Sequence, residues 1–142
     1  MSYIKIMVHC VWRTKGNKPV LVTEKRNRLF EHILENAKKK EIFIDTLGGH
    51  TDHIHCLINL GSGQNIAEVM KLIKGEATYW ANKENFIPGK LEWAEDYFAA
   101  SVSETALDKV REYIKNQEEH HRKMTFAEEY EKFIKSYGFR LG

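Results

Sequence analysis

EIFIDTLGGHTDHIHCLINL, residues 41–60, sets two short β-branched and apolar runs on either side of a polar, glycine-containing joint. Residues 41–50 and 53–60 read as strands, and Gly48 and Gly49 with the Thr51-Asp52 pair read as the joint of a hairpin. Side chains alternate along a strand, so His53 and His55 share one face while Ile54, Cys56 and Ile58 share the other. Two imidazoles about 7 Å apart, at roughly 3.3 Å per residue, can converge on one ion, with Ile54 anchoring the pair to the core from behind. A lone strand histidine is ordinarily a packing residue. A His-apolar-His triplet at the head of an apolar strand leaves packing and metal binding as open alternatives. A closed zinc site is disfavoured, because Cys56 faces away and paired-ligand spacing such as C-x2-4-C or H-x3-5-H is absent. Two neutral nitrogens leave an ion undercoordinated, so further ligands must come from elsewhere in the chain or from substrate. His50 reads as a hairpin or supporting residue.

Upstream of the hairpin, YIKIMVHCVWR (residues 3–13) suits a half-buried strand. Thr23 then stands as a candidate N-cap for a helix over 24–40, with Leu29, Phe30, Ile33 and Leu34 along its apolar stripe. Downstream, Asn65 can cap a helix running to about Lys83, with Ile66, Val69, Met70, Ile73 and Ala77 on one face. Leu91 to Val102 reads as a fourth strand or an irregular aromatic segment. Ser103 or Thr105 opens a third helix, and Thr125 a last one ending at Gly138. The order β-α-β-β-α-β followed by helices predicts an α+β fold of the split ferredoxin-like kind: an antiparallel sheet with helices on one face and additional C-terminal helices. No repeat or linker divides the chain, so residues 1–142 read as one domain, with a core over about 1–102 and the later helices over about 103–142.

With 142 residues and 42% apolar content, the chain can bury one core of ordinary size. No run approaches the roughly 18 apolar residues of a membrane span, and the N-terminal stretch lacks the pattern of an export signal, so a cytoplasmic location is expected. Cys10 and Cys56 lie in apolar strands and read as buried thiols. The net charge of +2 hides an asymmetry. Residues 1–40 hold ten basic and three acidic residues, leaving twelve and seventeen of the totals of 22 and 20 for the rest. A basic N-terminal part permits a polyanionic partner, and solvated helix faces account for it equally well.

On the third helix, Leu107, Val110 and Ile114 form the core stripe, and Tyr113 and Gln117 fall one turn apart on its flank. Taken alone, such a tyrosine is half-buried packing. Joined to the histidine pair, it resembles a known family: the single-tyrosine HUH transposases of small bacterial insertion sequences, the insertion-sequence 200/605 type, and their relatives associated with repetitive extragenic palindromes. The resemblance rests on His53-Ile54-His55 as the HUH motif, on "VHCVWRTK", on "WAEDYFAASVS", and on "YIKNQEEHHRK", and it covers most of the chain in order and spacing.

The resemblance implies that His53 and His55 bind a divalent metal, Mg or Mn, that Gln117 completes the protein ligands, and that Tyr113 is the nucleophile. It also implies cleavage of single-stranded DNA, hairpin element ends as partners, and a homodimer, often with the tyrosine of one protomer set against the histidines of the other. A tyrosine nucleophile conserves the energy of a broken phosphodiester in a 5′-phosphotyrosine, and a metal stabilises the oxygen that departs. Arg13, Lys15 and Lys18 are candidates for phosphate contacts, and Trp12, Trp80 or Trp93 for base stacking. His120 and His121 are expected to face solvent. The competing readings are a domesticated nuclease of repeat-associated hairpins, a non-catalytic nucleic-acid-binding module, and a metalloenzyme acting on small molecules.

Overall fold

In the computed structural model, which describes residues 1–139, the hairpin is formed by β2 (Phe43–Gly49) and β3 (His53–Leu60). Ile44 lies opposite Ile58 and Leu47 opposite Cys56. Gly48 and Gly49 belong to β2 itself, and the turn is His50–Asp52. Close approach explains the glycines: a Cβ at Gly48 would strike the Ile114 carbonyl oxygen, with Ile114 Cγ2 only 2.9 Å away, and one at Gly49 would strike the His53 carbonyl.

β1 (Ile6–Arg13) pairs antiparallel with β3 on one side and with β4 (Phe98–Ser101) on the other, giving the order β2-β3-β1-β4. With α1 (Thr23–Lys39) and α2 (Ile66–Glu84), this is the expected ferredoxin-like arrangement. Both helices cover one face of the sheet. Leu29, Ile33 and Ala37 of α1 and Val69, Met70, Ile73 and Ala77 of α2 pack with Val8, Cys10, Trp12, Ile54, Cys56 and Ile58. Each fully buried Ile or Leu among them contributes about 1.5–3 kcal/mol, which commits the odd-numbered residues of β1 and β3 to the opposite face. That face is covered by α3 (Leu107–Lys115), α4 (Gln117–His120) and α5 (Phe126–Ser136), through Leu107 and Ile114 against Met7 and Leu57, and Phe126 beside Val11 and Phe98.

Several local expectations are corrected. Extended Val22, not Thr23, occupies the N-cap position of α1, where no side chain caps the helix. Leu34 is exposed, while Arg26 is buried, donating to the Leu21 carbonyl and pairing with Glu118. Asn65 does cap α2, accepting from the Glu68 N–H, and Thr125 opens α5 with a capping box to Glu128. The 91–102 segment is irregular until β4 begins at Phe98. A 3-10 turn at Glu104–Ala106 precedes α3, and Ser103 makes no side-chain cap. The third helix is not continuous: Asn116, with ψ near 28°, breaks it, so Tyr113 ends up in α3 and Gln117 opens α4.

Candidate active site

His53 and His55 leave β3 on the same face and are both fully buried. His53 Nδ1 lies 2.8 Å from Asp52 Oδ1, a contact in which the ring N–H donates to the carboxylate. That bond fixes the tautomer of the neutral ring and leaves Nε2 as a lone pair pointing away from the turn. His55 Nδ1 lies 2.9 Å from His9 Nε2, contributed by the neighbouring strand β1. Burial pushes the His55 pKa down to about 4, against the opposing pull of Glu129, and burial followed by the proximity of His55 pushes His9 down to about 3.

The break at Asn116 brings Gln117 over β3. Its Nε2 donates to the Tyr113 carbonyl at 3.0 Å, which orients Oε1 inward to 3.0 Å from His53 Nε2. Tyr113 stands one turn earlier, its ring edge-on to His55 at 5.6 Å between centroids. The Tyr113 hydroxyl donates to Glu129 Oε2 and lies 3.3 Å from His120 Nε2. Burial, then the hydrogen bond to Glu129 and its negative charge, hold its pKa above the usual phenol value. The four residues singled out as ligands and nucleophile therefore meet in one place, within one chain. Arg111 anchors the helix that carries the tyrosine, its Nε and Nη2 each 2.9 Å from a different oxygen of Asp45 on β2.

Four further residues line this cluster: His9 and Glu129, which were not singled out, and His120 and His121, which were expected to face solvent. His9 pairs with His55 as described, and its position in β1 could have been found by asking which residues of the first strand share a face with the histidine pair. His121 corrects the expectation of a solvent-facing residue, since its side chain is only 3% exposed. Its Nδ1 donates to the Met124 carbonyl at 2.8 Å and its Nε2 lies 3.0 Å from Gln117 Oε1. Burial opposes protonation of this ring, but Glu129 and the Met124 carbonyl raise its pKa overall. His120 too points inward, 3.1 Å from Glu129. Glu129 comes from α5 and is 2% exposed, with Oε1 at 3.2 Å from His55 Nε2, 3.4 Å from His121 Nε2 and 3.6 Å from His53 Nε2. Burial works to raise its pKa, but hydrogen bonds from His121, His55 and Tyr113 outweigh it and hold the carboxylate well below its usual range. His50 stacks on His121 at 5.3 Å and contributes no atom to the cluster.

A cleft of about 540 Å³ opens beside Tyr113, lined also by His120, Glu129, Lys132 and Phe133. A larger cavity, about 950 Å³, runs along α2 and the 90–97 segment and contains none of these residues. Lys15 and Lys18 are exposed and border a separate cavity of about 310 Å³, while Arg13 is drawn into a bidentate pair with Asp96. Trp12 is fully buried and cannot stack on a base. Trp80 lies flat against His32, and Trp93 donates to the Lys74 carbonyl.

A four-stranded antiparallel sheet with helices packed against it is the fold shared with solved transposases. The family model for IS200-like transposases matches residues 2–117, and the chain belongs to that family. It is 28% identical over 115 residues to the ISDra2 transposase TnpA of Deinococcus radiodurans, covering 77% of this chain and 81% of that one. A Deinococcus radiodurans crystal structure described as a transposase superposes with a TM-score of 0.64 at 26% identity, covering 82% and 93% of the two chains. The structure of a REP-associated tyrosine transposase bound to a REP hairpin shares the fold, with a TM-score of 0.60 at 16% identity over 80% and 67%. Among the described residues, no helix is long and apolar enough to cross a membrane.

Proposed function

We propose that this IS200-like transposase cleaves and rejoins single-stranded DNA through a 5′-phosphotyrosine on Tyr113, with a divalent metal, Mg or Mn, held by His53, His55 and Gln117. The observation that carries the reading is the convergence of His53 Nε2 and Gln117 Oε1, 3.0 Å apart, beside the Tyr113 ring. With Nδ1–H committed to Asp52 and the Gln117 amide nitrogen committed to Tyr113 O, a neutral His53 faces the amide oxygen lone pair to lone pair. A cation between them removes that repulsion. Donor atoms sharing one ion at bonds of about 2.1 Å stand roughly 3.0–3.4 Å apart, so the spacing fits. Two imidazoles with amide and phosphate oxygens suit Mn and tolerate Mg.

In the cleavage step, Tyr113 Oη forms a bond to phosphorus, the bond from phosphorus to the 3′-oxygen breaks, and that oxygen takes up a proton from solvent to leave as a 3′-hydroxyl. The phenol proton leaves towards the groups its hydroxyl faces, Glu129 and His120. Rejoining reverses these steps with a 3′-hydroxyl as nucleophile. The metal, when bound, stabilises negative charge on the departing oxygen. His9 and Asp52 orient the two imidazoles, and α3 positions the tyrosine. The Tyr113 ring lies 5.6 Å from that of His55 in the same chain, which supports a constellation carried by one protomer, and the expected homodimer is a separate proposal that sedimentation in solution tests.

A single strand carrying an element end, incubated with Mg or Mn, should become covalently attached to the wild-type chain. Tyr113→Phe should abolish the adduct while leaving the fold intact, and an adduct formed by Tyr113→Phe would sink the assignment. The likeness to a transposase bound to a REP hairpin supports a second substrate reading, a domesticated nuclease of repeat-associated hairpins. A mobile copy should lie between matching subterminal palindromes, whereas a domesticated one should not.

A further inference from the structure

Glu129 is a buried carboxylate without a conventional counter-charge. Among the described residues, its partners within salt-bridge distance are all imidazoles: His53, His55, His120 and His121. Burying a carboxylate is costly unless a cation or full hydrogen bonding compensates it. The tautomers sharpen the problem. His121, donating through Nδ1 to the Met124 carbonyl, turns a lone pair on Nε2 towards both Gln117 Oε1 and Glu129 Oε1 when neutral. His53, donating to Asp52, does the same. Acceptor atoms of His53, Gln117, Glu129 and a neutral His121 therefore converge, and the one imidazole among them free to donate to Glu129 Oε1 is His55, through Nε2.

From this geometry we infer that Glu129 is a fourth protein ligand of the divalent metal, contributed through Oε1 by α5 to the face formed by His53, His55 and Gln117. The inference rests on the metal site proposed above. Two spacings support it: Glu129 Oε1 stands 3.2 Å from His55 Nε2 and 3.6 Å from His53 Nε2. These are close to the edges of a coordination polyhedron with bonds of about 2.1 Å. A hard carboxylate also moves a set otherwise made of imidazoles and an amide towards oxygen-preferring ions. The matched family region ends at Gln117, so Glu129 lies outside it. The sequence signal is nonetheless present: Phe126, Glu129, Tyr130 and Phe133 fall at i, i+3, i+4 and i+7, which sets a carboxylate on the buried stripe of an amphipathic helix. The rival explanation is that His121, as an imidazolium, supplies the compensating charge and no metal touches Glu129.

The full-length chain, stripped with EDTA and loaded with Mn²⁺ alone, distinguishes the two. In protein labelled with ¹³C at the glutamate carboxyl carbon, electron-nuclear double resonance should detect a strong ¹³C coupling from a directly bound carboxylate together with ¹⁴N couplings from imidazole. Glu129→Gln should remove the ¹³C coupling and raise the Mn²⁺ Kd at least about tenfold, the scale on which even outer-sphere partners act. Imidazole couplings without the carboxylate coupling would overturn the role of Glu129 and leave the histidine site standing. Failure of the wild type to bind Mn²⁺ saturably, or undiminished binding by His53→Ala, would overturn the metal site itself. Should Glu129→Gln fail to fold, the labelled wild type decides alone.

Discussion

Replacing Gly48 by alanine is expected to damage function through the tyrosine helix without touching a proposed catalytic group. The added Cβ meets the backbone carbonyl of Ile114, which no rotamer change can move, and the Ile114 methyl 2.9 Å away. Relief requires α3 to lift from β2 by about 1 Å, towards ordinary carbon contact distances. Ile114 is fully buried and adjacent to Tyr113, so the nucleophile moves with it. Overpacking of this kind costs about 1–3 kcal/mol, and a 1 Å misplacement of a reacting group costs about 100-fold in rate. The measurements are the initial rate of covalent adduct formation on single-stranded DNA with Mn²⁺ and the urea midpoint. Gly75→Ala serves as the control, because nothing lies within 4 Å of a Cβ there and the site is inside α2. It should stabilise by up to about 1 kcal/mol with no change in rate. Gly48→Ala with wild-type rate and midpoint would refute the view that this contact positions Tyr113.

Acid should weaken the metal-free protein. His9 and His55 have folded pKa values lowered to about 3 and about 4, so between there and 6.5 the unfolded chain binds more protons. Their contribution is complete above 6.5 and falls as pH drops through that window, while His121, raised instead, contributes most below 6.5. Urea melts from pH 7 to 4 in EDTA should show a net decline, and a flat or rising profile would contradict the burial of the first two rings. Burial pushes the Cys10 thiol up to about 12 and Cys56 well above its usual value, so neither should react with a thiol reagent until the protein unfolds. Fast labelling at native pH would place them wrongly. If Lys15 and Lys18 contact phosphates, the double alanine variant should bind single-stranded DNA with a salt slope shallower by about 0.7 per lost contact. An unchanged slope would remove them from the interface.

The sheet was legible because alternation and capping are local. His53 and His55 could be assigned to one face from the pleat alone, and Asn65 and Thr125 announced their helices by side-chain chemistry. Thr23 misled and Arg26 surprised because the start of α1 is set by the loop preceding it and by Glu118, far away in the chain, while Leu34 lies on an exposed side of the helix. The joint use of Tyr113 and Gln117 followed from one helical turn, but the break at Asn116 did not, since it depends on what lies beneath. His9 and Glu129 were within reach of periodicity once the question was which polar residues sit on buried faces. His121 was not, because its inward turn is created by the short α4 and the connection through Met124.

Asn116, where the third helix breaks, also assigns the two halves of the site to different mechanical parts. Tyr113 rides on a segment clamped to β2 by Arg111 and Ile114, whereas Gln117 begins a segment tied by its own side chain back to the tyrosine carbonyl and by Glu118 to Arg26. A continuous rod would transmit every tilt of the tyrosine to the glutamine in full. The break instead gives the two residues separate anchors, the tyrosine segment on β2 through Arg111 and the glutamine segment on α1 through Glu118 and Arg26.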